Sequence, residues 1–292
     1  MLMPDLSERI GCALLNPEGM LWLPNLTEEL VSSGWQDLNQ KCGLSPYNYS
    51  TDRVIACNID APCNRIALLS MLPNNQDENK TIKIDILSEG SAKQYEDADI
   101  RFYTEEEIRG SSVLSCVNDA LKIMDRVPTL AATVVALASS LHLIKAKNDD
   151  YDVSFSEPDI PFSIFVSIPQ ENNSINTLRV AEAILHEAMH LQLTLIEKFV
   201  PLVTKTQQKI FSPWREEFRT IQGVLHALYV FRVIDKFLEC LLSIQNHPVE
   251  KLEYIQQRRD EIEEQVNKIR SLQGHSELTM IGACFVQKLI QN

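Results

Sequence analysis

Arg179-Val-Ala-Glu-Ala-Ile-Leu-His-Glu-Ala-Met-His-Leu-Gln-Leu-Thr-Leu-Ile-Glu197 is the most informative stretch of the chain. Nothing between Asn176 and Phe199 breaks a helix, and most residues there favour one, so the spacing predicts a helix across it. His186 and His190 are then slightly more than one turn apart, and both imidazoles leave one face about 6 Å apart along the axis. That spacing lets two ring nitrogens reach one cation at about 2.0–2.1 Å each. Glu187, inside the same His-Glu-x-x-His pattern, can contact a metal-bound water or act as a base. The plainer reading is two surface or core histidines on an amphipathic helix. Finding both histidines and the glutamate together, in a chain with only 6 His, favours a metal site.

Outward from this helix, almost everything after Ile175 has helical character. The expected segments are 175–199, 219–244, 248–273 and 276–290, interrupted by Pro201, Pro213, Pro248 and Gly274. The span Glu250 to Leu272 is highly charged with few apolar anchors, which suits a solvated outer helix or the arm of a homodimer interface. The first 100 residues look mixed. Leu26 to Lys41 reads as a helix closed by Gly43 and Pro46, Thr51 to Ile59 as a strand, and Ile66 to Met71 as the next one. Residues 73–79 form a loop, and Thr81 to Leu87 alternates charged with aliphatic residues as a half-buried strand does. Thr104, with Glu105, Glu106 and Glu107 behind it, starts a helix expected to reach Arg126. Leu130 to Ala146 is read as helix in its first half and left open in its second. Phe162 to Ile168, after Pro158 and Pro161, reads as a strand. The expected fold class is therefore α+β, with a predominantly helical C-terminal two-thirds and a smaller mixed N-terminal part. A mixed region at 1–125 and a mainly helical region at 126–292 are expected, either apart or as one continuous domain.

A chain of 292 residues has ample length for a buried core, and 45% hydrophobic with 23% charged residues suits a water-soluble enzyme. The net charge of −13 argues against a nucleic-acid partner, because phosphate binding needs a basic stripe. The most apolar run, Leu130 to Ile144, is too short to span a bilayer and contains His142, so no membrane partner is expected. The 7 cysteines form no CxxC pair, which points away from zinc ribbons and suits a reducing compartment. With no basic, apolar signal segment at the start, a cytoplasmic location is expected. The sequons at Asn48, Asn79 and Asn172 then carry no meaning.

Two histidines do not complete a metal site. Glu197 lies seven residues beyond His190, about 10 Å further along the axis, and is not expected to share its metal. Glu182, one turn before His186, suits a hydrogen-bonding partner of the ligands. His226 sits alone in Gly223-Val-Leu-His-Ala-Leu-Tyr-Val-Phe231. A lone histidine on an apolar face is usually a hydrogen-bonded core residue, but after a His-Glu-x-x-His helix it becomes the leading candidate for third ligand. His142, His247 and His275 are weaker candidates. Arg215 and Arg219, in Phe211-Ser-Pro-Trp-Arg-Glu-Glu-Phe-Arg219, offer planar forks that could grip a carboxylate beside the metal. A surface loop with ion pairs to Glu216 and Glu217 accounts for them equally well.

The run Ala181-Glu-Ala-Ile-Leu-His-Glu-Ala-Met-His-Leu-Gln-Leu193, then Ser212-Pro-Trp-Arg215 and Gly223 to Phe231, resembles the HExxH-motif peptide-modification proteins. These accompany ribosomally made peptide natural products and are also described as 2-oxoglutarate-dependent HExxH-type peptide β-hydroxylases. Ser156-Glu-Pro-Asp-Ile-Pro-Phe162 looks like the piece that precedes the HExxH helix in that family. The resemblance covers roughly residues 130 to 290 and leaves the first 100 unplaced. It implies a non-haem Fe(II) centre on His186, His190 and, by analogy, His226. It also implies 2-oxoglutarate and O₂ as co-substrates, a precursor peptide as substrate, and the arginines of the Pro-Trp-Arg segment as partners of the co-substrate carboxylate. The role of Glu187 stays open between binding metal, orienting water and buttressing the site.

Two other classes compete. In zinc peptidases the glutamate of HExxH activates a Zn(II)-bound water, and the third ligand is often a later glutamate or a histidine in a glycine-containing extension. Here residues 191–196 are Leu-Gln-Leu-Thr-Leu-Ile, so that extension is missing. Iron oxygenases more commonly use two histidines and a carboxylate, so an all-histidine triad departs from that habit. A non-catalytic module that carries a peptide or partner enzyme is the third class, and the intact His-Glu-His trio argues against it.

Overall fold

The structure, a computed structural model, describes residues 4–41, 64–70, 81–87, 89–148, 150–157, 162–204, 208–244 and 248–291. The fold is α+β and mostly helical. Its compact units are Thr27–Leu191 and, joined together, Met1–Leu26 with Gln192–Asn292. Residue 125 falls inside the first of these, just past a helix end. No helix among the described residues is long and apolar enough to cross a membrane.

The unit Thr27–Leu191 is organised around a mixed sheet. Along the chain come α1 (Leu6–Leu15), which belongs to the other unit, and α2 (Pro24–Lys41), whose first residues do, then β1 (Asn64–Ser70), β2 (Thr81–Ile86) and α3 (Glu89–Lys93). There follow α4 (Glu105–Arg109), α5 (Val113–Met124), α6 (Pro128–Leu137), β3 (Ser140–Lys145), β4 (Ser154–Phe155), β5 (Ser163–Ile168) and α7 (Ser174–Phe199). The strand order is β1-β2-β3-β5-β4, with β2, β3 and β5 parallel and the outer pairs antiparallel. Parallel strands covered on both faces read as continuous apolar runs. All six residues of β5 are accordingly buried, as is β3 up to Ile144.

The register builds a ladder of rings across three strands. His142 faces Phe165 at 4.6 Å between centroids, and Phe155 stacks on Phe165 at 4.6 Å with only 8° between planes. Tyr95 and Phe102 close around Phe165. Because strand side chains alternate, Ser154 and Val166 point to the opposite face.

The expected helix from Thr104 to Arg126 is two helices. Thr104 caps the first with its hydroxyl on Glu107 N while Glu107 returns the bond, as the sequence indicated. Gly110 then ends it after one turn, and α5 restarts beyond Ser112. The ambiguous stretch after Leu130 splits into α6 and β3, with Pro128 at the helix start. The strand expected at Thr51–Ile59 lies outside the described residues, as do Gly43, Pro46, Pro158 and Pro161.

The other unit is helical. It holds α1, capped by the Asp5 carboxylate on Glu8 N at 2.8 Å, and the last turns of α7. With them are a hairpin of β6 (Lys209–Ser212) and β7 (Glu217–Thr220), α8 (Ile221–Leu242), α9 (Val249–Lys268) and α10 (Met280–Gln291). The hairpin was not expected; the Pro213 turn reads as a simple connection, yet Glu216 adopts φ 53° and brings the chain back on itself. Helix α9 buries Lys251, Ile255, Ile262 and Val266 and exposes most of the rest, which suits a solvated outer helix and an interface arm alike. Arg232, 3% exposed, binds Leu289 O at 2.7 Å and Glu263 at 2.8 Å, tying α8 to α10 and α9. A Cβ on Gly282 would lie 2.0 Å from the Leu202 carbonyl oxygen, so only glycine allows α10 to approach that segment.

Candidate functional site

Helix α7 begins where the Asn173 carboxamide accepts from Ile175 N at 3.1 Å and from Asn176 N at 2.8 Å. It runs unbroken to Phe199, so the i, i+4 histidines share a face as predicted. The rings of His186 and His190 sit edge to face, 4.7 Å between centroids, and their Nε2 atoms are 3.1 Å apart. Two nitrogens each about 2.0–2.1 Å from one cation have this separation when the angle at the cation is about 95–100°, between octahedral and tetrahedral values. The same 3.1 Å also suits a hydrogen bond in which one ring donates and the other accepts. The pair therefore fits two of the donors a metal needs.

Glu187 is 5% exposed. Ser154 Oγ donates to its Oε1 at 2.8 Å, and the same oxygen stands 4.0 Å from His186 Nε2. A buried carboxyl group needs hydrogen-bond partners, and the Ser154 hydroxyl is one. Ser154 was not singled out in the sequence; the only signal is its place in the short alternating piece before Ser156. Glu182 is buried one turn before His186.

His226 lies in the unit that contains Gln192–Asn292 and faces a carboxylate: its Nε2 is 2.9 Å from Glu197 Oε2, which also accepts from Gln222 Nε2 at 2.8 Å. His186 and His190 are thus brought together by the structure, and His226 is brought to Glu197. Among the described residues, no group of three or more His, Cys, Asp or Glu is gathered to hold a metal ion.

The two candidate arginines stand on the β6–β7 hairpin and are exposed. Arg215 N closes the turn on Ser212 O, and the Arg219 guanidinium pairs with Glu217 at 2.8 Å, which holds that carboxyl below its ordinary range. Arg219 thus makes one of the ion pairs of the surface alternative. Trp214 in the same turn stacks on Phe231 at 5.3 Å.

The remaining histidines are placed as follows. His142 is buried in β3 with neither ring nitrogen at hydrogen-bonding geometry to a described residue, and burial pushes its pKa down to about 4. The Asp85 backbone opposes that shift only in part. His275 Nδ1 accepts from Glu277 N at 3.2 Å. His247 lies outside the described residues.

With this geometry in hand, comparison with known proteins adds no class: no family model matches the chain, and no curated protein matches it.

Proposed function

We propose that the chain is a cytoplasmic metal-dependent oxygenase, an Fe(II)- and 2-oxoglutarate-dependent hydroxylase acting on the β-carbon of a residue in a ribosomally made precursor peptide. The observation that carries the metal reading is the 3.1 Å separation of the His186 and His190 Nε2 atoms. The choice of oxidation follows from the resemblance of residues 181–193, 212–215 and 223–231 to the HExxH peptide hydroxylases. His186 and His190 hold the cation in this reading, and the resemblance assigns the third donor to His226. Bound iron, with the keto acid and O₂, supplies the oxidising power that inserts oxygen into a C–H bond.

The protein residues around that chemistry have definite tasks. His186 and His190, fixed on one helical face, present two neutral nitrogen donors. Glu187, buried and held by Ser154, places a carboxyl group beside them. Arg215 and Arg219 are the partners assigned to the far carboxylate of 2-oxoglutarate; being exposed, they work at solvent-screened strength. Cys12, Cys116, Cys240 and Cys284 are free thiols, in keeping with a reducing compartment.

The Zn(II) peptidase is retained as a second reading because Glu187 Oε1 lies 4.0 Å from His186 Nε2, where a base could act. Metal content after anaerobic reconstitution, followed by conversion of 2-oxoglutarate to succinate, tests the first reading. With Fe(II), 2-oxoglutarate and O₂, a cognate peptide gains one oxygen atom and stays whole by intact-mass spectrometry. Shortened fragments that need Zn(II) and Glu187 but not 2-oxoglutarate would instead establish the peptidase.

A further inference from the structure

We propose that Ser154 is a positioning residue: its hydroxyl holds the Glu187 carboxylate by Oε1, keeps it off His186 Nε2, and so leaves that nitrogen to a cation. The inference rests on the metal reading above. It begins with β4, an edge strand of two residues. Phe155 is locked onto Phe165 by stacking, and the pairing of Ser154 with Val166 fixes which face the serine presents. The strand is further held by Ser167, whose backbone N binds Val153 O at 2.9 Å while its hydroxyl accepts from Val153 N at 3.0 Å and donates to Tyr151 O at 3.1 Å. Ser154 is therefore presented by backbone hydrogen-bonded to β5.

Among the described residues, Asp152 and Ser154 both link this segment to α7. Asp152 pairs with Arg179 at 2.8 Å, but Asp152 is 58% exposed, and solvent screens such a pair. Ser154 reaches Glu187, which is nearly buried, and there a hydrogen bond to a charged group is stronger. The acceptor is Oε1, the oxygen 4.0 Å from His186 Nε2. At that distance there is no hydrogen bond between carboxylate and imidazole. A modest side-chain rotation would make one, and a carboxylate hydrogen-bonded to Nε2 would occupy the position a metal ion takes on that nitrogen. The serine opposes that rotation by holding the very oxygen that would make the contact.

This restraint acts through Glu187, which separates it from a merely structural role. The test is Co(II) titration of the full chain, read by visible absorption, for the parent, Ser154→Ala, Ser154→Thr, Glu187→Ala and the Ser154→Ala/Glu187→Ala double variant. Ser154→Ala is expected to weaken Co(II) binding about ten-fold, at the low end of the range for residues that orient metal ligands. Ser154→Thr keeps the hydroxyl and is expected to stay within about two-fold of the parent. In the Glu187→Ala background, Ser154→Ala is expected to change nothing further, because non-additivity marks residues that act as one unit. Thermal melting of each variant separates weak binding from misfolding. Parent affinity and spectrum in Ser154→Ala, or the same loss with and without Glu187, would overturn the positioning role while leaving the metal reading intact. A parent that takes up no Co(II) would overturn the metal reading and this inference with it.

Discussion

The His186–His190 pair and the Glu197–His226 pair each draw on helix α7, yet they solve opposite problems. In the first, two nitrogens face each other at 3.1 Å; in the second, a nitrogen faces a carboxylate at 2.9 Å. Imidazole and carboxylate complete each other, because one donates and the other accepts with opposite charge available. Two imidazoles face each other comfortably only when a single proton is shared between them or a cation takes both lone pairs. The comparison separates what a motif supplies from what its surroundings supply. The i, i+4 spacing builds a like-with-like arrangement by helix geometry alone, whereas an isolated histidine on an apolar helix ends beside the nearest carboxylate.

The comparison breaks most visibly at its first member. His186→Ala and His190→Ala are each expected to cost more than the 10–100-fold in metal affinity typical of an outer partner, because a donor itself is removed. His226→Ala is expected to match them if His226 completes the donor set, with Glu197→Gln costing about ten-fold as an orienting partner. Equilibrium dialysis with Co(II) or anaerobic Fe(II) measures all four. Full metal occupancy in His226→Ala would reduce that residue to the partner of Glu197 and leave the motif histidines as the entire protein contribution known.

His142 sharpens the contrast from a third side, with neither a like nitrogen nor a carboxylate at hydrogen-bonding distance among the described residues. Burial pushes its pKa from 6.5 down to about 4. The unfolded chain therefore binds this proton more readily than the folded one. Its contribution to stability is complete above pH 6.5, falls as the pH drops from there, and is gone near pH 4, a loss of about 3 kcal/mol. Asp125 shifts in the opposite sense, raised by burial to about 6, so it loses stability as pH rises and offsets part of the change. The His142 share is read as the difference between the parent and His142→Phe in urea unfolding at pH 7 and pH 4.5. Equal slopes of stability against pH in the two proteins would show that His142 does not carry it.

Much of this was legible in advance, for reasons that residues make plain. Helix α7 has no breaker and a spacing that only a helix makes useful, and the Thr104 cap is a local signal read from four residues. What escaped the sequence depends on distant partners. Gly110 divides α4 from α5 although its composition resembles a continuous helix. The β6–β7 hairpin turns through a left-handed Glu216, a conformation that few non-glycine residues adopt and no pattern announces. Glu197 stands seven residues past His190 on α7, and its partner His226 comes from α8, which no spacing along one helix reveals. Ser154 could be found only once β4 was placed against β5, since a serine in a two-residue strand has no periodicity to reveal its face. The strand expected at residues 51–59 falls outside the described residues.

The smallest expected effect belongs to the arginines, and it bears on the chemistry assigned to the first pair. A keto acid bound to a metal extends its far carboxylate into a place that supplies fixed positive charge, and arginine's two parallel donors restrict its orientation better than lysine. In a buried anchor, losing that contact would cost about 2–5 kcal/mol. Arg215 and Arg219 are exposed on the hairpin, and Arg219 already pairs with Glu217, so each substitution is expected to cost about 1 kcal/mol or less, roughly five-fold in affinity. Arg215→Met should exceed Arg219→Met, because the latter gives up a guanidinium already neutralised by its neighbour. Raising salt from low to physiological strength should shrink both effects, since screening acts fully on exposed charges. The measurement is 2-oxoglutarate affinity for each variant at two salt concentrations, with Fe(II) binding checked separately. A salt-insensitive loss of a hundred-fold or more would mean that the arginine acts as a buried anchor. Parent affinity in both variants would place the anchor elsewhere and make the Pro-Trp-Arg turn a structural element built on Trp214 and Phe231.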